Sequence, residues 1–206
     1  MVTSTLTPAS STLLTQQAGW PVQGHWRYAD YLRLPDDGKR YEIIEGIVYV
    51  ANAPSIDHQF TVSETLFHLK LFVREKQLGQ VFTAPLEVHL SETTRPVQPD
   101  LLFIRAERQP PPGTQFFEGV PDLVVEVISP SSIRLDRHIK FDLYERVGVA
   151  EYWLVDPKAR LVEVYTLSNG EYALLGQYTE DDLIESSILT GLQIKASALF
   201  QQLQAL

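Results

Sequence analysis

Residues 121–132 read "PDLVVEVISPSS", an apolar run with one glutamate, Glu126, in its middle and a stop at Ser129-Pro130. Its length, its valines and its bounding prolines are those of a buried strand. Side chains alternate along an extended chain, so Val124, Glu126 and Ile128 share one face while Val125 and Val127 share the other. A lone carboxylate among such neighbours costs several kcal/mol or takes up a proton, so Glu126 needs a cation or hydrogen-bond donors. A structural arginine or backbone amides would serve, and so would a metal ion.

Working outward, Asp100 follows Pro99 at the start of "LLFI", a second apolar strand. Asp122 is its rival, on the same strand face as Glu126. Four residues at about 3.3 Å each put those two carboxylates roughly 13 Å apart, too far to share one ion. Asp100 is therefore the expected partner if its strand neighbours that of Glu126, although Pro-Asp is also common turn chemistry. Lys140 lies on the helix after the Glu126 strand, beside the apolar stripe Ile139, Leu143 and Val147, which Gly148 closes and Ser131 and Ser132 are expected to cap. Its ammonium can reach back over the sheet, or it can pair with Asp136 at i, i+4 as on any helix. Two carboxylates holding Mg²⁺ beside a lysine are one solution to phosphodiester hydrolysis.

The remaining chain alternates helix and strand signals. A short helix is expected over Trp26 to Leu34, a hairpin over "RYEIIEGIVYV", and a first long helix with Val62, Leu66, Leu69 and Val73 on one face, capped by Ser55 or Asp57 and ended at Gly79. "GQVFTAPLEVHL" reads as one strand, "ERQPPPGTQFFEGV" as a loop, "EYWLVDP" as a buried strand, "LVEVYTL" and "EYALLGQYT" as a hairpin turning at Asn169-Gly170, and "SALFQQLQAL" as a last helix. This order implies an α/β domain with a mixed sheet.

The 206 residues are 44% apolar, enough for one domain with a real core, and contain no cysteine, which excludes disulfides, thiolate nucleophiles and cysteine-ligated metals. The net charge of −9 argues against strong non-specific phosphate binding over a broad surface. No apolar window is long enough to span a membrane and no leader pattern opens the chain, so a cytoplasmic protein without membrane contact is expected. Residues 1–24 are uncharged and rich in Ser and Thr, an arm expected to be flexible or held on a second subunit, which suggests a homodimer. No phosphate-cradling glycine loop, Gly-x-Ser-x-Gly elbow or His-Glu-x-x-His pair is present.

"QPD", "EVISPSS" and "DRHIKFDLYERVGVAEYWLVDP", with "RYEIIEG" upstream, resemble the bacterial "putative restriction endonuclease" domain family, a branch of the PD-(D/E)XK nuclease superfamily. The resemblance covers roughly residues 26 to 180, within a nuclease-like domain expected over 25–206. It implies a restriction-endonuclease-like core: a mixed β-sheet flanked by helices, preceded here by an N-terminal helix and hairpin. It further implies an endonuclease using Mg²⁺ or Mn²⁺ on nucleic acid, DNA above all, with Asp100 and Glu126 as metal ligands and the Val127 carbonyl as a further one. The sequence departs from the family's Glu-x-Lys at Ile128, and Lys140 takes the lysine's place from the following helix. Glu42 matches the family's Tyr-Glu pair and is equally well a structural residue; His58 lies near the start of the first long helix, where this fold sometimes contributes a site residue, and is read as a capping or surface histidine before a site one.

The competing class is a catalytically silent nuclease-fold module for dimerisation or protein interaction, to which the net acidity lends weight. Tyr144 and Trp153 are read as core aromatics before base-stacking ones, and Arg134 and Arg137 as solvated before phosphate-binding.

Overall fold

A computed structural model describes residues 19–51 and 53–200; residues 1–18 of the expected N-terminal arm and 201–206 of the expected last helix lie outside them. The Glu126 strand, Leu123–Val127 (β7), is buried along its whole length and sits inside a six-stranded sheet. Taking β3 as Gly79–Thr83, β5 as Leu101–Arg105, β8 as Glu151–Asp156, β9 as Leu161–Ser168 and β10 as Glu171–Thr179, the strand order is β10-β9-β8-β7-β5-β3. β7 and β8 are parallel; their neighbours run antiparallel. A parallel pair needs a crossover, which the helical segment between Ser129 and Gly148 supplies.

The alternation along β7 sorts the core as its residues require. Val125 and Val127 join Leu101, Phe103 and Trp153 in the cluster under the long helix Ile56–Glu75 (α2), through Val62, Leu69 and Val73. Val124 and Ile128 join Leu102, Tyr152 and Leu154 under the crossover helix, through Leu143 and Tyr144. Each such apolar side chain taken fully from water contributes about 1.5–3 kcal/mol. The sheet is thus covered on both faces, and the charge at Glu126 lies under the crossover helix.

The hairpin Arg40–Ile44 (β1) and Ile47–Ala51 (β2) turns at Glu45-Gly46, and α2 is capped by Ser55, whose Oγ accepts from His58 N at 3.2 Å. Gly46 has φ 72°, and a Cβ there would meet the Gly24 carbonyl at 2.5 Å, so the backbone before the hairpin closes directly over its turn. The turn of β9 and β10 has Asn169 at φ 53° and Gly170 at φ 87°, as a two-residue Asn-Gly hairpin needs.

Several expectations are corrected. The first helix is one turn, Tyr28–Tyr31 (α1): Asp30 Oδ2 accepts from Arg27 N at 3.0 Å at its start, and Trp26 just before it is drawn wholly into the core under the hairpin. "GQVFTAPLEVHL" is two strands: Pro85 lacks the amide a ladder needs, and Glu87–His89 (β4) leaves the main sheet to pair in parallel with Phe116–Glu118 (β6), inside the segment expected to be loop. The crossover helix is capped by Ser129, not Ser131 or Ser132 as such caps: Ser129 Oγ accepts from Ser132 N at 3.2 Å while Ser132 Oγ accepts from Ser129 N at 2.9 Å. After an α-helical start at residues 133–134 it runs as a π-helix, Leu135–Lys140, and returns to α-helix over Phe141–Val147 (α3), ending at Gly148 with φ 90°. Of the last helix, the described part is a 3₁₀ turn, Ala196–Leu199.

Candidate active site

β5 and β7 pair with Leu101 opposite Val125, so the residue before Leu101, Asp100, comes level with Glu126. The side chain of Asp100 confirms the juxtaposition by accepting from the Val127 amide at 2.9 Å through Oδ2. The same oxygen meets His58 Nε2 at 3.0 Å, and Oδ1 accepts from Arg40 Nη1 at 3.1 Å. Asp122 lies elsewhere, accepting from Arg105 N at 2.9 Å and Arg108 Nη1 at 2.8 Å, which removes it from the site.

Lys140 is 1% exposed, the largest buried cation of the molecule's described part, and its Nζ lies 2.9 Å from Glu126 Oε1, 3.2 Å from Glu42 Oε1 and 4.0 Å from Asp136 Oδ1. Tyr144, one turn further, donates its hydroxyl to the same Glu126 oxygen at 2.9 Å. Asp136, Lys140 and Tyr144 are spaced at i, i+4 and i+8, so one helix stripe carries all three, and the π-helical turn between Asp136 and Lys140 widens that part of the stripe. Glu42 also accepts from Gln98 N at 2.6 Å, tying β1 to the segment that leads into Asp100.

Four buried carboxylates, Glu42, Asp100, Glu126 and Asp136, therefore face two permanent cations, Lys140 and Arg40. Burial, partly offset by Lys140 and reinforced by the neighbouring carboxylates, pushes Glu126 up to about 8. Burial likewise raises Asp136 to about 6. Asp100 goes the other way: burial opposes its ionisation, yet the His58 hydrogen bond and the charges of Arg40, His58 and Lys140 hold it at about 2. Burial works against the Lys140 ammonium, but Glu126, Glu42 and Asp136 outweigh it and keep its pKa above the ordinary value. Near neutrality the cluster thus combines an anionic Asp100, a protonated Lys140 and a proton favoured on Glu126.

Excess negative charge on hard oxygen donors suits Mg²⁺ or Mn²⁺, ions that take one or two carboxylates and keep several waters. Asp100 and Glu126 could hold such an ion; among the described residues no group of three or more His, Asp or Glu is disposed as a ready metal cage. Of Val127, the part that contacts Asp100 is the amide.

The expected residues Asp100, Glu126, Lys140, Glu42 and His58 converge. Arg137 does not: it pairs with Glu163 on β9. Trp153 is core, on the sheet's other face, with its indole donating to Glu151 at 2.7 Å. Tyr144 is buried as expected of a core aromatic, and it is also a site residue. Arg40 and Gln98 are not foreseen by the sequence reading. For Arg40 the signal was present, since it alternates with Glu42 on one face of "RYE"; Gln98 acts through its backbone amide, which no side-chain pattern announces.

The chain and its fold resemble known proteins. A curated relative, an uncharacterized protein of Synechocystis, is 26% identical over 140 residues, which are 66% of this chain and 78% of that protein. The fold matches the crystal structure of a "putative nuclease belonging to DUF820" from Anabaena variabilis with a TM-score of 0.72 at 22% identity, covering 87% of this chain and 98% of that one. The Uma2 family model, described as "Putative restriction endonuclease", matches residues 28–197. The chain therefore belongs to the Uma2 family of restriction-endonuclease-like proteins.

Proposed function

We propose that the protein is a Mg²⁺- or Mn²⁺-dependent endonuclease that hydrolyses phosphodiester bonds of DNA at the Asp100–Glu126–Lys140 cluster. The observation that carries this reading is the placement of Lys140, a buried ammonium 2.9 Å from Glu126, itself level with Asp100 on the neighbouring strand. This chain has Ile128 where the Glu-x-Lys pattern has its lysine, and a lysine delivered from the following helix meets the same need for positive charge beside two acids.

When bound by Asp100 and Glu126, with the Val127 carbonyl as a further donor, the metal would supply Lewis acidity and offset charge on phosphate oxygens. The chain's own groups do the rest. Lys140 holds Glu126 and Glu42 in place and presents a proton-rich charge toward the oxygen that becomes negative as phosphorus is attacked. Tyr144 fixes the same Glu126 oxygen, and His58 orients Asp100. The buried walls keep these charges strong by excluding bulk water.

One observation favours a second reading, a silent module for protein interaction: Asp100 and Glu126 are already satisfied by Arg40, His58, the Val127 amide, Lys140 and Tyr144. Supercoiled plasmid incubated with Mg²⁺ or Mn²⁺ separates the two. The nuclease reading expects nicking by wild type that is lost in Asp100→Asn, Glu126→Gln and Lys140→Met purified in parallel; wild-type nicking no higher than that of the variants would reject it.

A further inference from the structure

Asp100 already carries a cation belonging to the chain, in the place where the proposed metal would act. Arg40 Nη1 donates to Oδ1 at 3.1 Å, while His58 Nε2 and the Val127 amide hold Oδ2. Unlike Lys140, Arg40 is not enclosed. Its side chain is 28% exposed, and it lines an open cleft of about 330 Å³ with Tyr31, Lys39, Tyr41, Glu87 and Gln98. A divalent ion and a guanidinium at one carboxylate oxygen repel each other and compete for the same lone pairs. Metal bound at Asp100 Oδ1 would therefore displace Arg40, which lines the adjoining cleft.

We propose that Arg40 is a phosphate-binding residue in waiting: it neutralises Asp100 until metal arrives and then moves to a phosphate of a nucleic-acid strand seated in the cleft. The inference rests on the nuclease reading above and adds to it the place of the substrate backbone. The guanidinium fork matches phosphate oxygens two at a time, which a lysine ammonium does not. Lys39, on the same wall, adds positive charge and is restrained by an exposed pair with Asp37, a kind of contact that yields readily to a better one. Tyr31 is fixed by donating to Glu87 at 2.9 Å, so the aromatic side of the cleft is preformed. A volume of about 330 Å³ lies at the lower end of ligand-sized pockets and suits one nucleotide of a single strand rather than a duplex.

Two affinities test the exchange, and they should move in opposite directions. Mn²⁺ binding to the protein alone is measured by titration calorimetry, and binding of a short fluorescein-labelled DNA single strand by anisotropy in Ca²⁺. In Arg40→Ala, Mn²⁺ should bind about tenfold more tightly, the scale of one charge-assisted hydrogen bond no longer in competition, while the strand binds about tenfold more weakly. Arg40→Gln, which keeps a donor toward Asp100 and removes the charge, should show both changes in the same sense and serves if the alanine variant does not fold. A residue that merely stabilises the fold would weaken both or neither. Mn²⁺ binding that is lost in Asp100→Asn yet no tighter in either Arg40 variant overturns the exchange and leaves the metal site standing. Absence of Mn²⁺ binding in wild type and in both Arg40 variants overturns the exchange together with the metal site.

Discussion

Replacing Lys140 by methionine keeps most of its apolar stem and removes its charge. Glu126, Glu42 and Asp136 would then share a buried space without the ammonium now 2.9, 3.2 and 4.0 Å from them. Breaking a buried ion pair by deleting one partner costs about 3–5 kcal/mol. At about 2–4 °C per kcal/mol for a domain of this size, thermal unfolding should fall by roughly 6–20 °C at pH 8. Protonation softens the loss, because a neutral carboxyl tolerates burial. With the ammonium gone, the pKa values of Glu126 and Asp136 rise further above their unfolded values. Stability is then retained at low pH and lost as pH rises from the unfolded toward the folded value. Wild type shares the Glu126 decline up to about pH 8, so the deficit should widen from pH 5.5 to pH 8 through Asp136, whose pKa is about 6 with the ammonium in place. The double variant Lys140→Met/Glu126→Gln should recover a large part of it, since the closest unpaired charge is gone. Thermal melts of the three proteins at both pH values decide the matter. A single variant within about 0.5 kcal/mol of wild type at pH 8, the range of ordinary surface substitutions, would refute the buried-cation account. So would an equal loss at both pH values.

Two further outcomes are expected. In metal-free wild type, Glu126 moves from 4.5 unfolded to about 8 folded, so its contribution makes stability decline as pH rises between those values; Mg²⁺ should stabilise more at pH 8 than at pH 5.5, measured by the shift in melting temperature. Asp122→Ala, which strips the acceptor from the Arg105 amide and from Arg108, should cost about 1–3 kcal/mol in urea unfolding while leaving plasmid nicking unchanged, since Asp122 stands apart from the site.

Local pattern was enough for the elements with strong periodicity or unambiguous turn chemistry. The β7 alternation, the long helix after Ser55, the Asn169-Gly170 hairpin and the stop at Gly148 each follow from side-chain spacing or from a residue suited to positive φ. Where the reading missed, tertiary packing outweighed local preference. Trp26 is wanted by the hairpin core more than by a helix, and the strand ending at Thr83 gives way at Pro85 because β4 finds its partner in a segment rich in proline and glycine. Capping by Ser129 rather than its two neighbours depends on a reciprocal pair of hydrogen bonds that composition does not distinguish.

By itself the sequence determined that a carboxylate at Glu126 would need a partner in a buried strand, that Asp100 and Lys140 were its candidates, and that the chain would alternate helices with a mixed sheet. Those conclusions rest on period, burial cost and order along the chain. Only the tertiary structure decided that Asp100 and Glu126 stand level on adjacent antiparallel strands, that Lys140 is caged by three acids, and that Arg40 neutralises Asp100 from an open cleft. Strand register and the rotation of a π-helical turn are set by contacts between residues far apart in sequence, and the strength of every charge depends on how much water those contacts exclude.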